Sequence, residues 1–321
     1  MLRLAFLFPG QGAQDAGYLR RLPEHAAVRE TLHEAAEVLG QDPCGFDQAP
    51  ALRSTVAVQL GLLIAGVAQA RALRAEGVLP DVVAGLSVGA FGAAVACGSL
   101  DFADALRLVR LRAQSMERAF EQGYGMLAVS GLRQPTLEQI LQGVNASRAG
   151  AAAQAWLANL NSASQFVVAG CDEVLEAVRA AARSAGARQV ERLDVAVPSH
   201  CPLLAPVREE LARALGALRL RDAALPYIAN STARALRAAG DIARDLADGV
   251  MRPVLWHDTN RLLLELGVRC VVEMPPGQTL GNFTRNLDGQ VDSLASDGTS
   301  LHSLVLRIRR VREQGELAHG A

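Results

Sequence analysis

Apolar and polar positions along this chain alternate between two periods. Short unbroken apolar runs, Leu4 to Phe8 and Val82 to Ala84, read as strands buried on both faces. Around them lie longer stretches of helical period, Ala26 to Leu39, Thr55 to Glu76 and Phe102 to Glu121. Within the second, Val56 to Ala70 is interrupted only by Gln59 and Gln69. It is too short to span a bilayer and predicts a core helix. Strand–helix alternation with continuous apolar strands predicts a parallel sheet covered on both faces.

From Gly125 the pattern changes. Met126 to Val129, Ala155 to Leu160, Phe166 to Ala169 and Gln189 to Leu193 read as strands, with helices over Pro135 to Leu141 and Asp172 to Ser184. That β-α-β-β-α-β order is that of a ferredoxin-like unit. Arg148 to Gln154, rich in Ala and Gly, reads as a surface loop or fraying helix end. After Pro198 the alternation resumes with Leu203 to Leu215, Pro226 to Ala229, Asp241 to Val250, Trp256 to Leu266 and Cys270 to Glu273. The expected architecture is α/β: a parallel-sheet core of the α/β-hydrolase type over 1–124 and 196–321, with a ferredoxin-like α+β subdomain over 125–195 inserted in it.

Composition narrows the chemistry. The 321 residues are half hydrophobic and 20% charged, with a net charge of −1, so the balance of charge offers nothing to nucleic acid. All 32 basic residues are arginine, which excludes Schiff-base catalysis and a lysine-anchored pyridoxal group. Cys44, Cys97, Cys171, Cys201 and Cys270 are widely spaced with no C-x-x-C pair, which argues against a disulfide framework or zinc site and for a reducing cytoplasm. The apolar N-terminus reaches Pro9-Gly10 too soon for a signal peptide.

Candidate chemistry centres on Gly85-Leu86-Ser87-Val88-Gly89, between an apolar run and the small-residue run Phe91 to Cys97. This is the layout of a nucleophile elbow, where a serine stands exposed on a sharp strand-to-helix turn. The residue after the serine offers its N–H to an oxyanion, and the helix N-terminus adds positive potential. A tight turn packing a helix on a strand accounts for the same five residues. Of six histidines, His25 and His33 read as a solvated helix face, His257 as a cap or packed residue, and His302 and His319 lack a supporting pattern. His200, on a loop between Pro198 and Pro202, is the best candidate base. Arg107 and Arg110 read as solvent-facing.

Five separated motifs stand in the order seen in malonyl-CoA:acyl carrier protein transacylases. They are Pro9-Gly10-Gln11-Gly12-Ala13-Gln14, the Ser87 elbow, Arg112, Asn161 with Gln165, and Val197-Pro198-Ser199-His200. The resemblance runs from about Leu4 to Leu280. It implies Ser87 as the nucleophile that takes malonyl from coenzyme A, His200 as its base, and a backbone carbonyl near Gly249 in place of a triad carboxylate. It implies an oxyanion hole from the N–H groups of Gln11 and Val88, and a bidentate pairing of Arg112 with the malonyl carboxylate. Gln59, Met116, Asn161 and Gln165 resemble pocket residues. No resident cofactor or metal is implied, and the partners are coenzyme A and an acyl carrier protein, with no nucleic acid or membrane.

The elbow departs from the housekeeping pattern, which carries histidine before the nucleophile and glutamate three residues after it. Here those positions are Leu86 and Ala90. In this the chain looks most like the transacylase subunit of biotin-independent malonate decarboxylase, whose acceptor is a dedicated carrier subunit. The alternatives are a housekeeping transacylase of fatty-acid synthesis, a serine thioesterase or hydrolase, and a non-catalytic module in which the elbow is only a turn.

Overall fold

The structure is a computed structural model that describes residues 3–120, 122–146 and 148–319, the last six as backbone only. Met1, Leu2, Glu121 (the expected end of the third helix) and the His319 side chain lie outside the described residues.

The fold is α/β, with a mixed, mostly parallel sheet of six strands in the order β10-β9-β1-β2-β7-β8. The strands are β1 (Arg3–Phe8), β2 (Val82–Gly85), β7 (Tyr227–Ile228), β8 (Ala235–Leu236), β9 (Val268–Glu273) and β10 (Asp292–Ala295). All neighbours run parallel except β7 and β8. Along β1, Leu4, Phe6 and Phe8 enter one apolar cluster while Ala5 and Leu7 enter another on the opposite face. Burial on both faces explains the unbroken apolar run, and each such Leu or Phe contributes about 1.5–3 kcal/mol.

Helices α1 (Ala26–Leu39), α2 (Thr55–Ala75), α3 (Gly89–Ala96) and α4 (Phe102–Ala119) follow the expected periodicity. Helix α2 is long and apolar enough to cross a membrane, but 83% of its apolar window is buried against the rest of the chain. His25 is not a solvated-face residue: its imidazole caps α1 by accepting the Ala27 N–H at 3.1 Å. Arg110 also departs from expectation, because its guanidinium donates to the Leu39 carbonyl at 2.8 Å.

A second, antiparallel sheet has the order β4-β5-β3-β6, built from β3 (Tyr124–Ser130), β4 (Trp156–Ser162), β5 (Gln165–Cys171) and β6 (Gln189–Arg192). Helices α5 (Gln134–Asn145) and α6 (Asp172–Ser184) close a separate core over it. Residues 148–154 form a loop with one 3-10 turn, Ala151–Ala153. The sheet is tied to the segment before Trp256 where Asn159 bridges Val254, with the Leu160 N–H on the Val254 carbonyl and the Val254 N–H on the Ala158 carbonyl, both at 2.9 Å. Helices α7 (Ala205–Gly216), α8 (Ala239–Asp248), α9 (Trp256–Glu265), α10 (Thr279–Leu287) and α11 (Leu301–His319) complete the chain.

Candidate active site

The site gathers at the carboxyl ends of the parallel strands, where open α/β sheets expose their loops. Strand β2 ends at Gly85 and the chain turns sharply into α3. Ser87 takes φ of 56°, a left-handed conformation that a side chain adopts only when its surroundings enforce it. They do so by close approach. A Cβ on Gly89 would overlap the Phe8 carbonyl, and one on Gly85 would overlap the Gly89 backbone. Only glycine lets α3 sit this close to β1 and β2.

His200 arrives from the loop after β6 and is also left-handed, with φ of 62°. Its Nε2 lies 2.8 Å from Ser87 Oγ, and its Nδ1 donates to the Gly249 carbonyl at 2.6 Å. The carbonyl fixes the Nδ1–H tautomer and leaves Nε2 as acceptor for the serine proton. Asp194, the nearest acid before His200 in the chain, is exposed and makes no bond to it. Burial and then the Arg112 charge lower the imidazole pKa to about 4, so at pH 7 it is neutral and Nε2 carries no proton.

Arg112, on α4, is 2% exposed. Its Nη2 lies 3.1 Å from Ser87 Oγ, and its Nη1 donates to Gln59 Oε1 at 2.5 Å. Gln59 Nε2 donates to Gln11 Oε1 at 3.0 Å and lies 3.7 Å from Met116 Sδ. Gln59 and Met116 therefore do not face the cleft, as pocket residues would. They are buried behind Arg112, and Gln59 links it to the Pro9–Gln14 loop. Among the described residues no carboxylate pairs with Arg112, and burial lowers its pKa to about 10. A buried guanidinium with no carboxylate partner has the charge and geometry to pair with an anion.

The cleft over Ser87 has a volume of about 240 Å³. Its walls include Gly10, Gln11, Asn161, Gln165, His200 and Leu280. The N–H groups of Gln11 and Val88 find no acceptor among the described residues, which leaves both free for an oxyanion. The buried oxygens Asn161 Oδ1 and Gln165 Oε1 also lack a donor, so these side chains present hydrogen-bond capacity to whatever fills the cleft. Leu86 packs on the Pro9–Gln14 loop, where a Cβ on Gly10 would come within 2.7 Å of its Cδ2. Ala90 is 4% exposed.

Two residues at the site were absent from the sequence reading. Asn230, past the end of β7, accepts the Ser87 N–H on Oδ1 at 2.8 Å and donates from Nδ2 to the Gly85 carbonyl at 2.7 Å. Asp245 on α8 accepts the Asn230 N–H at 3.1 Å and the Tyr227 hydroxyl at 2.7 Å. Their only sequence signal is a polar residue at the end of a short apolar run and an acid at a buried helical position. Burial pushes the Asp245 carboxyl up, opposed by these donors and by Ser231. A second buried acid, Glu273, ends β9 and accepts the Gly281 N–H at 2.8 Å. It thereby caps α10, which supplies Thr279, Leu280 and Phe283 to the cleft. Burial raises its pKa to about 7. Among the described residues no group of three or more His, Cys, Asp or Glu side chains is placed to hold a metal ion.

Comparison with known proteins places the chain in a family. The acyl transferase domain family matches residues 5–310. The chain is 34% identical over 302 residues to malonyl CoA-acyl carrier protein transacylase of Haemophilus influenzae, covering 92% of this chain and 95% of the relative. The same enzyme from Coxiella burnetii superposes with a TM-score of 0.90 at 31% identity, covering 96% of this chain and 98% of that one. A malonyl-transacylase solved in complex with a type II PKS acyl-carrier protein gives 0.87 at 32% identity, over 92% and 96% of the two chains. With its serine elbow, carbonyl-held histidine and buried arginine at the carboxyl edge of the sheet, the chain belongs to the acyl transferase domain family.

Proposed function

We propose that this chain is a malonyl-CoA:acyl carrier protein S-malonyltransferase working through a malonyl ester of Ser87. The observation that carries the reading is Ser87 Oγ held between His200 Nε2 at 2.8 Å and Arg112 Nη2 at 3.1 Å. His200 takes the hydroxyl proton as Oγ attacks the thioester carbonyl. The Gln11 and Val88 N–H groups receive the oxyanion, and His200 protonates the departing coenzyme A thiolate. Arg112 pairs with the free malonyl carboxylate. The carrier's phosphopantetheine thiol then repeats the steps in reverse. No resident cofactor takes part; malonyl-CoA is a substrate.

The relatives' names fit the housekeeping alternative, an acyl carrier protein of fatty-acid synthesis, better than a dedicated carrier of malonate decarboxylase. The decarboxylase carrier remains a second reading, supported by Leu86 and Ala90 alone. Discharge of malonyl-Ser87 onto each carrier in turn decides between them. Faster discharge to the fatty-acid carrier supports the first reading, and exclusive discharge to the decarboxylase carrier reverses it. We read residues 125–195 as a ferredoxin-like subdomain inserted in an α/β-hydrolase-like core of 1–124 and 196–321. Support comes from the β4-β5-β3-β6 order and the separate apolar cluster. Five free thiols favour a reducing cytoplasm.

A further inference from the structure

Ser87 and His200 lie 113 residues apart, on segments that share no strand pairing. Strand β7 pairs with β2 only as far as Ile228 opposite Ala84. Beyond that point the Ala229 N–H turns away to the Arg234 carbonyl. The Gly85 carbonyl and Ser87 N–H, which a longer β7 would have paired, are taken up by the Asn230 carboxamide instead. One acceptor and one donor on a planar group match one N–H and one C=O spaced two residues apart. The clamp spans Leu86 and holds the left-handed turn on which the serine stands.

Asn230 is itself held from behind. The Asp245 carboxylate receives four donors: the Asn230 N–H and Tyr227 hydroxyl on Oδ2, and the Ser231 N–H and hydroxyl on Oδ1, at 2.7 to 3.3 Å. Asp245 is 7% exposed and shares no hydrogen bond with His200, whose Nδ1 is taken by the Gly249 carbonyl, so it does not serve as a triad acid. Its other connection runs through its backbone. The Asp245 carbonyl accepts the Gly249 N–H at 2.8 Å, closing the last turn of α8. Gly249 in turn presents its carbonyl to His200 Nδ1, and the next residue, Val250, accepts the His200 N–H at 2.8 Å.

We propose that Asp245 is the positioning residue of this site: through Asn230 it holds the Ser87 elbow, and through the last turn of α8 it holds the carbonyl that orients His200. The role rests on the Ser87–His200 reading above. One helix turn thus ties both halves of the site to a common anchor. Loss of the anchor lets the elbow and the imidazole drift relative to each other while the cleft that binds malonyl-CoA keeps its walls.

The test is single-turnover loading of malonyl onto Ser87 in the full chain, with wild type, Asn230→Ala, Asp245→Asn, the double variant and Tyr227→Phe. Asn230→Ala and Asp245→Asn are each expected to lower the loading kcat by about 100-fold, the cost of misplacing reacting groups by an ångström, with KM for malonyl-CoA within about threefold of wild type. The double variant loads no more slowly than the slower single, because both break one chain of contacts. Tyr227→Phe, which removes one donor and keeps the ring, loses about tenfold by the same coupling. Asp241→Asn, on the exposed face of α8, loads at the wild-type rate. Wild-type loading with unchanged rates in Asn230→Ala and Tyr227→Phe overturns the proposal, even where Asp245→Asn does not fold. A double-variant loss equal to the product of the singles, or losses that appear in KM alone, also overturns it. Failure of the wild type to load counts instead against the Ser87 reading.

Discussion

Replacing Arg112 with alanine separates selectivity from structure at this site. The guanidinium is 2% exposed, and its partners are Gln59 Oε1 and Ser87 Oγ, both neutral. Burial lowers its pKa from 12.5 to about 10, which corresponds to roughly 3 kcal/mol of unpaired charge in the resting site. A malonyl carboxylate seated on it recovers that cost, whereas an acetyl group leaves the charge as it was. The expected preference for malonyl over acetyl is therefore about 10²-fold in kcat/KM. In Arg112→Ala that preference collapses: malonyl loading falls by about 10² to 10³-fold, as for loss of one partner of a buried pair, while acetyl loading is unchanged or rises. Loading of each acyl group from its coenzyme A thioester, followed by intact-protein mass spectrometry, reads both rates. Equal losses for malonyl and acetyl would show that Arg112 only shapes the elbow, and an unchanged malonyl rate would remove it from the site.

With His200 near pH 4 in the free enzyme, kcat/KM for loading stays flat from pH 8 to 5 and falls only below that. Arg112→Ala removes a charge that depresses the imidazole, so a pH series on that variant shows the acid limb moved to higher pH. Glu273 is raised above its unfolded value of 4.5 to about 7, so its contribution to stability is complete below pH 4.5 and lost as pH rises through 7. The loss amounts to roughly 3 kcal/mol, and Glu273→Gln is expected to flatten the fall in melting temperature between pH 4.5 and 7. Gly89→Ala places a methyl group on the Phe8 carbonyl; thermal unfolding is expected to show a loss of about 3 kcal/mol or more, with loading abolished.

The core helices were legible because long apolar periods leave little choice: α1 and α6 run over the expected residues, and α2 and α4 within two of them. The elbow was legible because its chemistry requires two glycines at fixed offsets from Ser87. Gln11, Arg112 and His200 were not separable from ordinary turn, helix and loop residues by spacing, and the family resemblance singled them out. Asn230 was not singled out because it directly follows the short apolar run Pro226 to Ala229, where Asn230-Ser231 reads as an ordinary turn. Asp245 looks like its neighbours Asp241 and Asp248 until the fold buries it under Tyr227. Helix α10 was missed because Gly281 interrupts it. That glycine is there because Ser293 and Glu273 crowd the space where its Cβ would lie. His25 was misjudged because a histidine one residue before a helix looks like a helix-face residue until its Nδ1 is seen to cap it.

The most direct test of the account is the fate of malonyl on Ser87. Mixing the chain with malonyl-CoA and mapping the adduct by peptide mass spectrometry is expected to place one malonyl group on Ser87. The ester should persist without acceptor and discharge when holo acyl carrier protein is added, and Ser87→Ala should acquire nothing. An adduct elsewhere, no adduct, or an ester that hydrolyses as quickly without the carrier as with it would contradict a transferase that works through this serine.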